Sequence, residues 1–191
     1  MILTRERIIE TTIEVLRKYG PQKTSVTDVA KVLGVSHGTI YRHFENKAAL
    51  KEAVLGIWLK EHARNLERTP FDASAGRAGV EGWIKRLVML KHDLYHADPE
   101  LFDMYTELTA EAAEAVEDHL AELVTQLETR IALAQRTGSV TTAMSAREIA
   151  EGLFYGTARF HHPTLSFEWR SDTIHDQFEV VTQLLFRALE P

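Results

Sequence analysis

The chain has no cysteine among its 191 residues. That excludes disulfides, thiolate zinc sites and redox chemistry at sulfur, and it fits a protein of the reducing cytoplasm. Proline and glycine are scarce, at five and ten residues, and fall mostly between stretches of helical periodicity. Strictly alternating runs of β-branched residues are missing as well, so the expected fold is all-α. No segment approaches the ~20 consecutive apolar residues that a bilayer span requires. The opening MILTRERIIETTIEVL has acidic residues among its apolar ones, unlike the core of a secretory signal. A soluble, cytoplasmic protein with no membrane partner is therefore expected. A phosphate loop, an activated-nucleophile motif and an H-E-x-x-H pair are also lacking, so no cofactor, metal or catalytic residue is assigned and the chain is not read as an enzyme.

An excess of positive charge is absent too, since the net charge is −6. Its distribution is uneven. Residues 1–60 carry ten Lys or Arg against six acids, a balance of +4, which leaves −10 for the remainder. A basic head on an acidic body can set a local positive field against phosphate while the body stays off non-specific DNA.

Periodicity and capping signals divide the chain into nine helices. Helix 1 is expected over Thr4 to Tyr19, stopping at Gly20-Pro21. Helix 2 opens at Ser25, with Asp28 closing a capping box, and ends at Gly34. Helix 3 follows Ser36 and ends near His43, and helix 4 starts at the cap Asn46. In the body, helix 5 is expected from about Gly79 to His96 and helix 6 from Asp98-Pro99. An alanine-rich helix 7 is expected from about Thr109 to Thr137. Helix 8 opens at the capping box Ser145-x-x-Glu148, and helix 9 runs from about Asp172 to Leu189.

The stretch SVTDVAKVLGVSHGTIYRHFENKAAL, residues 25–50, is the most informative. Val29 and Leu33 share a face of helix 2, Ala30 admits a close helix crossing, and Gly34 suits a left-handed turn. Val35 and Ile40 supply the facing surface of helix 3. Two short helices joined in this way form either an αα-corner or a helix-turn-helix, whose second helix enters the major groove. The polar face favours DNA: with Ile40 inward, 100° per residue turns Gly38 and Arg42 outward and sets Thr39 and Tyr41 on the flanks. Lys47 opposes the dipole of its own helix, a placement that makes sense beside an external anion.

These residues resemble the DNA-binding domain of the tetracycline-repressor (TetR/AcrR) family. The match lies in Thr24-Ser25-Val26, Asp28-Val29-Ala30, Gly34-Val35-Ser36, Gly38-Thr39-Ile40-Tyr41-Arg42-His43-Phe44 and Asn46-Lys47-x-x-Leu50. It covers about residues 5–55, and beyond residue 60 it is only architectural. It implies a three-helix DNA-binding domain at 1–50, joined by helix 4 to a larger helical ligand-binding and dimerisation domain at 51–191. It further implies base contacts from His37, Gly38 and Thr39, with Thr27, Tyr41, Arg42, His43 and Lys47 also at the DNA. His37 departs from the long polar residue common there, which leaves the operator sequence open.

The implied partners are double-stranded operator DNA, a second copy of the chain, and a small molecule that releases a repressor from a palindromic operator. In the family the last two helices pair with their copies. Gly152 and Gly156 on helix 8, with Phe178, Val181, Leu184 and Leu185 on helix 9, supply such a face. The alternative use of the glycines is a contact within the chain. Candidate ligand residues are Trp83, Leu87, Tyr95, Phe102, Tyr105, His119, Leu123, Phe154 and Arg159. His92 and His96, one turn apart, have a spacing that suits a metal, but without thiolates or an H-E-x-x-H motif paired surface histidines are the safer account. Two other functions fit the chain less fully: a DNA-binding accessory factor without a ligand, and a small metal-dependent enzyme built from scattered histidines.

Overall fold

The computed structural model describes residues 3–68, 76–141 and 143–189. Nine α-helices occur among them: α1 (Arg5–Tyr19), α2 (Val26–Leu33), α3 (His37–Tyr41), α4 (Lys47–Glu67), α5 (Arg77–Ala97), α6 (Pro99–Thr109), α7 (Ala113–Arg136), α8 (Ala146–Gly156) and α9 (Ile174–Arg187). The described residues contain no strand, and no helix among them is long and apolar enough to cross a membrane. The chain forms two compact units. The first takes the residues up to Glu61 together with Asp98–Asp118, and the second takes His62–Ala97 together with the residues from His119 onward.

In the first unit the termini of the helices follow their capping chemistry. Thr4 accepts a hydrogen bond from the Arg7 amide, and the Gly20 amide closes α1 on the Leu16 carbonyl. Ser25 and Asp28 form the expected box, each side chain accepting from the other's amide at 3.2 and 3.1 Å. The Ser25 hydroxyl and amide both donate to the Asp28 carboxylate, which favours its ionised form and lowers its pKa. Gly34 ends α2 in the left-handed region at φ 66°, ψ 30°, where a side chain would be strained. The core gathers Ile8, Leu16, Val29, Ile40, Phe44, Leu50, Val54 and Leu55 from α1 to α4, and Tyr105, Leu108 and Ala112 from the later segment.

The first unit reaches past residue 50 because α4 is joined to α6 and to the turn after it by two specific contacts. The Trp58 and Tyr105 rings stack at 4.3 Å and 12°. The buried Lys51 ammonium donates to the Glu111 carboxylate at 2.7 Å. The start of helix 7 differs from expectation: α6 runs on to Thr109 and α7 begins only at Ala113. Thr106 and Thr109 turn their hydroxyls back onto the Phe102 and Thr106 carbonyls, and Ala112 is drawn into the core. The alanine-rich run between them carries no glycine or proline to signal the break.

In the second unit, polar side chains bonded to backbone carbonyls join segments alongside the apolar core. Gln126 Nε2 donates to the Ala63 carbonyl at 3.0 Å, and its Oε1 accepts from Trp83 Nε1 at 3.4 Å. His92 Nε2 meets the Phe160 carbonyl at 2.9 Å and His161 Nε2 the Phe154 carbonyl at 3.1 Å; with a carbonyl as acceptor, each ring nitrogen is the donor. The segment after α8 coils into 3-10 turns at Ala158–Phe160 and Pro163–Arg170. It delivers Trp169 onto the His92 ring at 4.5 Å.

Burial holds His119 and His161 near a pKa of about 3, below the value of about 6.5 they have in an unfolded chain. As pH falls the unfolded chain takes up protons that the fold refuses. The stability from these rings is therefore whole above about pH 6.5 and declines below it. Urea unfolding should show a loss of about 1–2 kcal/mol per ring between pH 7 and 5, and His119→Leu should shallow the slope. A flat profile would mean the rings are protonated in the folded protein.

Candidate nucleic-acid interface

The interface is built on α3, a helix of five residues with one buried side chain, Ile40. So short a helix does not hold itself in water. Ser36 starts it: its hydroxyl accepts from the Thr39 amide at 3.2 Å and lies 2.8 Å from Thr39 Oγ1. Thr39 Oγ1 in turn accepts from Arg42 Nη2 at 3.2 Å, so Ser36, Thr39 and Arg42 form one chain of polar groups on the outer surface. His37 meets Tyr41 edge to face at 4.6 Å, a pairing of positions one turn apart.

His37, Gly38, Tyr41 and Arg42 are exposed and Thr39 is half-buried. A Cβ on Gly38 would meet nothing nearer than Ser36 Oγ at 4.0 Å, so the backbone there is open to close approach. Thr27 is exposed on α2 and His43 is half-buried after α3. The helix ends at Tyr41 rather than near His43, because the His43 and Phe44 amides both turn back onto the Ile40 carbonyl at 2.9 and 3.1 Å. Arg5 fixes this corner from α1, donating to the His43 carbonyl at 3.2 Å with its guanidinium 4.4 Å from the Phe44 ring centre. Sequence reasoning missed Arg5, since nothing in the spacing of residues 5 and 43 brings them together. Lys47 is exposed on the first turn of α4, where Asn46 accepts from the Ala49 amide at 2.8 Å. The eight candidate DNA residues thus all belong to the first unit.

The candidate ligand residues divide between the units. Tyr105 is committed to its stack on Trp58, and Phe102 is buried in the same unit. Trp83, Leu87, Tyr95, His119, Leu123 and Phe154 are buried in the second unit. Arg159 is not interior: it is exposed, bonded to Glu168 and Gln177. His92 points inward and His96 is exposed, so the one-turn pair does not converge, and no group of three metal-ligating side chains occurs among the described residues.

The candidate dimer residues divide as well. Phe178 is buried in its own chain, its ring 5.3 Å from Phe160, and so is not a surface group. Gly156 faces Leu185 of its own chain, whose Cδ1 would lie 3.2 Å from an added Cβ. The close approach that this glycine permits is internal. Gly152 has nothing within 4 Å of an added Cβ, and Val181 and Leu185 are half-buried. The outward apolar groups are Tyr155, Val180 and Leu184, all more than half exposed. Helical spacing sets Val180 and Leu184 opposite Phe178, so one turning inward exposes the others.

A family model described as bacterial regulatory proteins of the tetR family matches residues 8–54. A second, described as the tetracyclin repressor-like C-terminal domain, matches residues 78–182. The chain belongs to the TetR family. Among relatives, the probable acrEF/envCD operon repressor of Escherichia coli (strain K12) is 37% identical over 75 residues, 36% of this chain and 34% of that protein. The transcriptional regulator TtgR of Pseudomonas putida is 44% identical over 59 residues, 31% of this chain and 28% of that one. These matches span about a third of the relatives' length.

Among solved structures, SmeT, the repressor of the Stenotrophomonas maltophilia multidrug efflux pump SmeDEF, has a TM-score of 0.71 at 17% identity, covering 99% of this chain and 91% of that chain. Bacillus subtilis FadR in complex with stearoyl-CoA has a TM-score of 0.60 at 16% identity, covering 95% of this chain and 97% of that one. At these identities the likeness is one of fold.

Because Ser36 starts α3 and positions Thr39, Ser36→Ala should lower the thermal stability of the protein by about 1 kcal/mol. Chemical denaturation checks this; an unchanged midpoint would mean that α3 is held by Ile40 alone.

Proposed function

We propose that this TetR-family chain is a ligand-responsive transcription regulator, a homodimeric repressor released from a palindromic operator by a small molecule. The observation that carries the reading is the outer face of α3, where Ser36, Thr39 and Arg42 form a connected polar surface beside the exposed His37 and Gly38. Apart from the Ser36 cap that starts the helix, this surface is largely exposed, and it suits base edges in a major groove. On this reading residues 1–50 bind DNA, with His37, Gly38 and Thr39 at the bases, Thr27, Tyr41, His43 and Lys47 along the backbone, and Arg42 also at the DNA. Residues 51–191 bind the ligand and a second copy. Two of the scattered histidines that an enzyme would recruit are otherwise engaged: His92 and His161 donate to backbone carbonyls.

A two-fold axis is what a reader of palindromic half-sites requires. The exposed side chains Tyr155, Val180 and Leu184, with the open Gly152, are the surface that supports it. Ligand response is supported by the buried aromatic and polar side chains of the second unit and by the ligand complex of the FadR neighbour. Selection of bound duplexes from random DNA tests the reading: it should return a palindrome with two half-sites, and recovery of no preferred sequence would overturn it.

Two substitutions separate the roles. Lys47→Ala should weaken operator and random duplex about equally and shallow the salt dependence, because a phosphate contact carries no sequence information. His37→Ala or Thr39→Ala should change which sequences are preferred; a uniform loss would demote them to backbone positioning. Both sets are read by competition binding at two salt concentrations.

For the dimer, Leu184→Asp sets a charge on an already exposed position, so it should spare the fold and convert dimer to monomer in sedimentation, with operator affinity falling alongside. An unchanged dimer would remove α9 from the interface.

A further inference from the structure

The hydrogen bonds on the outer face of α3 limit what that face can offer a base. Arg42 Nη2 donates to Thr39 Oγ1 at 3.2 Å, Ser36 Oγ lies 2.8 Å from the same oxygen, and the Thr39 amide donates to Ser36 Oγ at 3.2 Å. A hydroxyl has one proton and two lone pairs, whereas a guanidinium only donates. With one lone pair of Thr39 taken by Arg42, the direction of the Ser36–Thr39 bond decides the rest. Where Ser36 donates, both lone pairs of Thr39 are filled and its proton is left over. Where Thr39 donates, its proton is spent and one lone pair of Ser36 is filled instead.

Arg42 selects between these arrangements when an acceptor approaches. A hydroxyl that accepts from a cation is polarised into a stronger donor, and the guanidinium itself has further N–H groups to give. Gly38 leaves the approach open: a Cβ there would meet only Ser36 Oγ, at 4.0 Å, so a base edge can come up against Thr39 with no side chain between. Thr39 is half-buried and its amide is held by the Ser36 cap, while Ser36 and Arg42 are exposed. In water the solvent satisfies either arrangement. Against a base edge that solvent is displaced, and the valence still free on Thr39 decides which edge is accepted.

In the major groove guanine shows two acceptors, N7 and O6, whereas adenine sets the N6 amino donor beside its N7. A Thr39 proton next to the Arg42 guanidinium meets acceptors alone on guanine and a like donor on adenine. A Thr39 hydroxyl with both a proton and a lone pair to spare would accept from that amino group and tolerate either purine.

We propose that Arg42 is a specificity-determining residue acting with Thr39: it fills a lone pair of the Thr39 hydroxyl, so that the two side chains present donors only and select guanine over adenine at one position of each half-site. This rests on the reading of α3 as the helix that meets the bases. It goes beyond that reading by giving Arg42 a part in base choice and by naming the base.

The test uses the full-length protein and a duplex recovered by selection from random DNA, with each base pair of one half-site changed in turn and affinity read by competition. One position should prefer guanine over adenine by roughly tenfold or more. Thr39→Val should bring the two bases within about threefold there, while Thr39→Ser, which keeps the hydroxyl, should hold the preference. Arg42→Met should relax the same position and no other. The double variant should lose little more discrimination than either alone, because the two side chains act as one unit. Circular dichroism checks that each variant is folded, and about 50 mM salt keeps weakened variants in range. If Arg42→Met weakens every duplex alike and leaves the preferred bases unchanged, Arg42 is a phosphate contact and the proposal is overturned. A Thr39 position that selects a base other than guanine, or an Arg42 effect at a different base pair, overturns it as well. Selection that returns no preferred sequence removes the DNA reading and this proposal with it, whereas a palindrome whose preferences survive Arg42→Met removes the proposal alone.

Discussion

Ile40 is the contact on which the DNA-facing surface depends. It is the one buried residue of α3, a helix too short to persist alone, and its burial among the side chains of α1, α2 and α4 decides which way every other residue of that helix points. With Ile40 inward, Gly38 and Arg42 must face out. The supporting contacts act on the same rotation: Ser36 fixes the start, Arg5 fixes the exit through the His43 carbonyl, and Gly34 supplies the left-handed turn that brings α3 across α2. Loss of Ile40 would change the direction of the recognition surface as well as its stability.

The first unit extends this arrangement to segments distant in sequence. Lys51 lies one turn beyond Lys47 on α4, and its bond to Glu111 ties the same helix that begins at the candidate DNA surface to the turn between α6 and α7. Trp58 and Tyr105 repeat that tie two turns on. The buried Lys51 makes a charge-assisted hydrogen bond of good length, the condition under which a buried charge is tolerated. On the proposed function, a movement of α6 is therefore also a movement of α4.

The second unit obeys a different rule, in which polar side chains satisfy backbone carbonyls across helices. Gln126, Arg130, His92, His161 and Trp169 all do so. Each such bond fixes the register of two segments more narrowly than apolar packing does, because a hydrogen bond tolerates little displacement. His119 stands out against this background as a buried ring with nothing bonded to it.

Local chemistry was legible in the sequence wherever a signal lies within a few residues of its effect. The capping boxes at Ser25 and Ser145, the caps at Ser36, Asn46 and Asp98, the left-handed Gly34 and the outward face around Arg42 all follow from hydrogen-bonding groups and helical angles within one turn. The same holds for the all-α fold and for the resemblance carried by residues 24–50. Tertiary structure decided what depends on partners far along the chain. Phe178 and Val180 look alike as apolar residues on one helix, and only the presence of Phe160 sends the first inward and leaves the second exposed. Gly156 reads as a surface for a second copy until Leu185 is found against it. Tyr105 joins the first unit because Trp58 offers a ring to stack on. Helical periodicity specifies a face, but which neighbour that face meets is set by the summed burial of the whole core, and no single segment contains that information.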